Sequence, residues 1–287
     1  MSHTVVLRVW KLVRQSGSQE LEPVALPADV HTLDGASACL PGGAYTTLRT
    51  FAGHKALRFS DHLQRLEQTA SLAGQPQVLD EQALRRALRS LLSDIPPGEE
   101  VRIRLTLDLE RSPGDLYLAI EPLVTPPPEA YQRGVRAITC DLQRQLPKAK
   151  LTRFIGRSAP LRQSLPPDVN EAIMVDASGR FLEGLSSNFF AVLEGELWTA
   201  EQDVLSGITR ALVLECARQA GIPLRLEPPR RQDLPNFTEA FITSASRGVL
   251  PLRQIDQTVI GTVCPGPLTR SLIHAYQARI EKLSEPI

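Results

Sequence analysis

Of the 32 basic side chains in this sequence, 27 are arginine and only five are lysine: Lys11, Lys55, Lys148, Lys150 and Lys282. Arginine serves wherever a fixed positive charge is enough, whereas lysine can lose its proton and attack as an amine. A lysine pair two residues apart, Lys148 and Lys150 in Leu146-Pro-Lys-Ala-Lys-Leu151, is therefore a candidate nucleophile. Both are expected on one side of a strand. An enclosed, partly desolvated position would lower the pKa of the reactive one. Spacing alone does not choose between them, and a solvated lysine pair is the plain structural alternative.

Other residues could complete such a chemistry. Glu183 precedes Gly-Leu-Ser-Ser-Asn188. It is either a solvated loop acid or a buried carboxylate facing a protonated ring nitrogen. Gly207-Ile208-Thr209-Arg210 reads as a helix opening, with Ser206 as its expected cap. Backbone amides of Ile208 and Thr209 at such an end suit a phosphate. Ser186-Ser187 and Thr243-Ser244 offer further anion donors in polar turns or strand ends, although serine-rich turns are commonly just turns. Arg65 lies on a predicted helix. Arg102 and Arg104 share the polar face of an alternating strand, placed either to clamp a carboxylate or to face water.

Composition removes several function classes. With 32 basic against 32 acidic residues in 287, there is no electrostatic footprint for nucleic acid or anionic membrane. No run of about 20 apolar residues would span a bilayer. The N-terminal MSHTVVLRVWKLVRQ lacks the apolar run and small-residue cleavage site of a signal peptide, so a cytoplasmic protein is expected. Cys39, Cys140, Cys216 and Cys264 are far apart and read as free thiols. The five histidines, His3, His31, His54, His62 and His274, show no metal-ligand spacing, so no metal is expected. Walker, dinucleotide-binding and serine-hydrolase signatures are absent.

The elements that must position these groups alternate between strand and helix. Thr4–Val13, Tyr45–Phe51 and Lys55–Phe59 read as strands. A helix follows, with Ser60-Asp61 as N-cap, Leu63, Leu66, Ala70 and Ala73 as apolar face, and Gly74 as stop. A second helix begins near Asp80. Val101–Leu109 alternates almost strictly and pairs with Leu116–Ile120. Three successive prolines then mark the expected boundary: a small α+β domain over 1–123, a stiff linker over 124–133, and a second domain over 134–287. That second domain is expected to hold strands at Gly134–Cys140, Glu171–Asp176 and Glu239–Ser244. It also reads as a hairpin over Asn188–Thr199 turning at Glu194-Gly195, and helices at Arg153–Leu165, Gly207–Ala220 and Gly266–Leu283. The pattern is α+β in two unequal lobes, with a site most naturally placed between them.

Seven segments in this order resemble the fold-type IV pyridoxal-phosphate enzymes: branched-chain and D-amino-acid aminotransferases and 4-amino-4-deoxychorismate lyases. They are Gly43–Arg49, Asp61–Leu66, Lys150 with Gly156, Glu171-Ala-Ile, Glu183–Asn188, Leu205–Arg210, and Glu239–Ser244 with Pro251. The likeness covers almost the whole chain. It implies Lys150 as the Schiff-base lysine, because Lys150 stands 33 residues before Glu183 and six before Gly156, close to the family spacing. It further implies Glu183 on the pyridine nitrogen, and Arg65, Ser186, the Ile208 and Thr209 amides and Ser244 on the phosphate. Arg104, with Arg102 and Tyr45, would receive the substrate carboxylate.

What the resemblance implies as activity is transamination between an amino acid and a 2-oxo acid, with pyridoxal 5'-phosphate as cofactor and a homodimeric assembly. The alternative within the family is lyase chemistry, pyruvate elimination giving 4-aminobenzoate; a further alternative is a non-catalytic relative that only binds in the cleft. The sequence departs from family patterns at several points. Ala245 stands where threonine is common, leaving Ser246 as a replacement hydroxyl. Thr152-Arg-Phe-Ile155 lacks the tyrosine of branched-chain enzymes, and Glu110–Asp115 lacks the R-x-H of D-amino-acid enzymes. Tyr45-Thr46-Thr47 shares features with two subfamilies.

Overall fold

A computed structural model describes residues 5–15 and 18–287; Thr4, the expected start of the first strand, and His3 lie outside the described residues. In chain order the elements are β1 (Arg8–Gln15), β2 (Ser18–Pro23), α1 (Leu33–Cys39), β3 (Gly43–Phe51), β4 (Lys55–Leu57), α2 (Phe59–Leu72), α3 (Glu81–Leu92), β5 (Val101–Asp108), β6 (Leu116–Pro122) and α4 (Pro128–Arg133). There follow β7 (Val135–Cys140), α5 (Arg153–Gln163), β8 (Val169–Val175), β9 (Phe181–Gly184), β10 (Asn188–Leu193), β11 (Glu196–Trp198), α6 (Ile208–Gln219), β12 (Leu224–Arg225), β13 (Glu239–Ser244), β14 (Gly248–Ile255), β15 (Thr258–Val259), α7 (Pro267–Leu283) and β16 (Ser284–Pro286). The chain forms two compact units of α+β structure. One runs through Val124 and takes in Ala149–Arg157 and Leu283–Ile287; the other comprises Thr125–Lys148 and Ser158–Lys282.

The division differs from a single cut at the prolines, and strand-like pairing accounts for both additions to the first unit. Tyr45 N donates to Lys150 O and Thr152 N to Gly43 O, each at 2.9 Å, so residues 150–152 run along β3. The C-terminal β16 pairs antiparallel with β4. The expected linker over 124–133 is also partly helical, because proline is well suited to the first turn of a helix, and Pro128 opens α4.

The first unit is an antiparallel seven-stranded sheet in the order β16-β4-β3-β5-β6-β1-β2. Alternation in β5 sends Val101, Ile103, Leu105 and Leu107 into a core shared with Leu63 and Leu66 of α2 and Leu84 and Leu88 of α3. Asp80 caps α3, its side chain accepting from Ala83 N. The start of α2 differs from the expected Ser60-Asp61 cap. Arg58, in the left-handed region at φ 52°, is the N-cap and has no side-chain bond. Glu285 accepts from Phe59 N at 3.1 Å instead, and Ser60 donates to Glu81. Burying Phe59 draws the helix start two to three residues earlier, and β16 supplies the acceptor.

The second unit holds a ring of strands: β10-β13-β14-β7-β8-β9, closed by Asn188↔Glu183 between β10 and β9. Phe189, Ala191 and Leu193 of β10 point inward with Ala240, Ile242, Leu250 and Leu252. The opposite face of β10 and β13 carries stacked Phe190 and Phe241, ring centroids 4.7 Å apart. The β10–β11 hairpin turns at Glu194 (φ 53°) and Gly195 (φ 79°), where a two-residue turn needs positive φ at both positions.

Candidate cofactor site

Lys150 is not on a strand, as the spacing suggested, but in a loop clamped to the start of β3. Besides the Tyr45 and Thr152 amide bonds, Gly43 N donates to Thr152 Oγ1 at 2.9 Å, and Lys150 N to Thr69 Oγ1 at 3.2 Å. Gly43 is required here: a Cβ would stand 1.9 Å from Leu107 O on β5. The clamp leaves Lys150 half-buried with Nζ 4.6 Å from the Tyr45 ring centroid. Lys148 is spent differently, donating to the Glu201 carbonyl.

Arg65, on α2, donates to Thr46 Oγ1 at 2.8 Å, and the same hydroxyl lies 2.7 Å from His62 Nδ1. His62 is 3% exposed. Burial, then the charges of Arg65 and Lys150, hold its pKa well below the ordinary value of 6.5. A neutral imidazole accepting the Thr46 hydrogen fits that environment.

Arg102 and Arg104 share the β5 face opposite the core, but neither is an open carboxylate clamp. Arg102 pairs with Glu121 at 2.5 Å, and Glu121 accepts from Leu33 N at 2.7 Å. Arg104, 6% exposed, donates to Leu33 O, Ser37 Oγ and Thr47 Oγ1 and pairs with Asp34 at 2.8 Å. The alternation correctly placed both on one face, yet it could not foresee that α1 covers that face. The two arginines fasten α1 to the sheet, and Arg104 also stacks 4.9 Å from the Tyr45 ring centroid.

In the second unit Glu183 is 2% exposed and accepts three hydrogen bonds. Arg144 Nε donates to Oε1 at 2.7 Å; Leu205 N and Asn188 Nδ2 donate to Oε2 at 3.1 and 3.2 Å. A buried carboxylate needs a counter-charge, and the Arg144 side chain, 4% exposed, supplies it. Sequence reasoning missed Arg144. Its one signal is an arginine six residues before Lys150, in a loop without periodicity.

Helix α6 begins one residue later than expected, with Gly207 as N-cap and no side-chain capping bond, so Ser206 does not fill that role. A Cβ at Gly207 would lie 2.0 Å from Asn188 Oδ1, which brings the helix start against the Glu183 partner. Thr243, at the end of β13, is 1% exposed and its hydroxyl has no partner among the described residues. Ser186 and Ser244 are linked by one guanidinium. Arg247 Nη2 donates to Ser186 Oγ at 2.8 Å and Nε to Ser244 Oγ at 3.2 Å. Among the described residues no group of acids, histidines and cysteines could hold a metal ion, and none of the four cysteines forms a disulfide.

The family profile for amino-transferase class IV matches residues 43–255. A Thermotoga maritima protein named as a probable branched-chain-amino-acid aminotransferase is 28% identical over 251 residues, 86% of this chain and 89% of its own. The D-alanine aminotransferase of Bacillus licheniformis is also 28% identical, over 250 residues, 83% of this chain and 87% of its own. The crystal structure of 4-amino-4-deoxychorismate lyase from Pseudomonas aeruginosa superposes with a TM-score of 0.68 at 27% identity, covering 84% of this chain and 90% of that one. The chain belongs to the class IV aminotransferases, and its fold is fold-type IV.

Pyridoxal 5'-phosphate is the cofactor of that family. The residues present fit it. Glu183 is an acceptor-only carboxylate suited to a protonated ring nitrogen. The uncapped start of α6 and the orphan Thr243 hydroxyl are donors suited to a phosphate.

Proposed function

We propose that this chain transfers an amino group between an amino acid and a 2-oxo acid, with Lys150 as the lysine that holds pyridoxal 5'-phosphate covalently. The observation that carries the reading is Glu183, buried and fixed by Arg144, Asn188 and Leu205, in a member of the class IV family. When bound, the cofactor supplies a carbonyl that takes up the amino group and a ring that spreads the electron pair left at the substrate Cα. With the cofactor bound, Lys150 Nζ would be the base that takes the proton from the substrate Cα and the acid that gives it back. Glu183 holds the proton on the ring nitrogen. Arg65, the amides of Ile208 and Thr209, and Ser244 would hold the phosphate through charge, a hydroxyl and the helix dipole. Tyr45, packed against Lys150 Nζ and Arg104, borders the substrate. Arg104 acts through it as a positioning residue.

Subfamily relatives are similar at equal identity, so the amino donor is read from chemistry. The cofactor-loaded protein should absorb visibly. That colour should bleach when one amino acid among leucine, glutamate and D-alanine is added without any 2-oxo acid. Bleaching by one of them gives the substrate and its hand. Colour that persists with all three, with pyruvate released from aminodeoxychorismate in the absence of an acceptor, would replace transamination by the lyase reaction. The family resemblance also carries a homodimer, and light scattering at twice 31.6 kDa is the expected mass.

A further inference from the structure

Arg247, the guanidinium that links Ser186 and Ser244, is assigned no part in the reaction proposed above. Its side chain, 14% exposed, donates to Glu171 Oε2 at 2.7 Å, Ser186 Oγ at 2.8 Å, Asn170 Oδ1 at 2.9 Å and Ser244 Oγ at 3.2 Å. It thereby spans the two serines that the family resemblance assigns to the phosphate. Its own backbone amide also reaches Ser244 Oγ at 3.2 Å.

The direction of these bonds matters. Ser186 and Ser187 both give their hydroxyl hydrogens to Glu171 Oε2, at 2.8 and 2.9 Å. Ser186 thus turns a lone pair, not a hydrogen, towards its other neighbours. Ser244 Oγ accepts twice from Arg247, which leaves its hydrogen for a group outside the cluster. Position 245, where the family often has a hydroxyl, is alanine. Glu171, 2% exposed, would oppose an incoming anion. Burial pushes its pKa up, but Arg247 and the two serines pull it below the ordinary value, so the carboxylate is charged and Arg247 offsets it. Of the five N–H groups on the guanidinium, four are used in the bonds above, and one on Nη1 has no hydrogen bond among the described residues.

We propose that Arg247 is a second cationic anchor for the cofactor phosphate, standing in for the hydroxyl that Ala245 lacks. The inference rests on the pyridoxal-phosphate reading above. It is separable by comparing pyridoxal phosphate with pyridoxal, which lacks the phosphate. Apo-protein is titrated with each, for the wild type, Arg247→Met, and the double variant Arg247→Met/Glu171→Gln. The double variant removes both buried charges and so guards against a folding defect.

Pyridoxal phosphate affinity should fall about tenfold in both variants while pyridoxal affinity holds, as expected for a lost charge-assisted bond. Inorganic phosphate should raise the melting temperature of wild-type apo-protein and not that of the double variant. Equal losses for the two ligands would make Arg247 a structural counter-ion of Glu171 and overturn the proposal, as would unchanged binding of both. A wild type that takes up neither ligand would remove the pyridoxal-phosphate reading itself, and the proposal with it.

Discussion

At the scale of single residues, two buried groups define the electrostatics. Glu183 meets Arg144 across 2.7 Å with both side chains almost out of water. Removing Arg144 alone would strand a charge, a change that costs several kcal/mol in comparable settings. His62 is the second group. Its pKa is lowered, so between that value and about 6.5 the unfolded chain binds a proton that the folded chain refuses. The unfolded state then carries more protons, and stability must fall as pH drops below about 6.5, by up to about 1.4 kcal/mol per pH unit. Urea unfolding of the wild type and of His62→Asn, from about pH 7.5 to about pH 5, measures it. The wild type should lose stability more steeply on the acid side, and parallel curves would contradict the assignment. Lys150, Glu183, Arg65 and the serines could be singled out in the sequence because they stand in short fixed patterns, and their roles are those proposed above. Arg144 could not, because what selects it is a three-dimensional contact with Glu183 and not a local pattern.

At the scale of elements, strict alternation in β5 and the start of a helix near Asp80 were readable, since both signals act within a few residues. Three features resisted. Helix α1 is seven residues long and is held by long-range bonds from Arg104 and Glu121. The start of α2 takes its acceptor from Glu285, 226 residues away. Strand β16, Ser-Glu-Pro, has no strand-like composition and exists because β4 offers an edge. Such contacts leave no trace in a window of neighbours. Arg104 gives the element-scale prediction. Arg104→Met should destabilise the protein by about 2 kcal/mol, as loss of charge-assisted bonds to a helix does. Amide exchange should quicken in Leu33–Cys39. Unchanged stability and exchange, with a raised KM for the amino acid, would instead make Arg104 a direct substrate ligand.

At the scale of the whole molecule, the α+β pattern and the order of the seven motifs were sufficient to indicate fold-type IV. The path of the chain was not. Residues 149–157 and 283–287 join the first unit because residues 150–152 lie along β3 and β16 along β4, and a composition break at three prolines cannot reveal either return. One return carries Lys150, so the lysine is placed by β3, and Lys148, two residues earlier, belongs to the second unit. The central claim is that Lys150 and not Lys148 bears the cofactor, and one measurement addresses it directly. The protein loaded with pyridoxal phosphate is reduced with borohydride, which fixes the cofactor to its lysine, then digested with trypsin and weighed by peptide. Because trypsin does not cut after a modified lysine, attachment at Lys150 should appear on the peptide Ala149–Arg153. Label on the peptide Gln145–Lys150 would place it at Lys148, and label on neither would contradict the account.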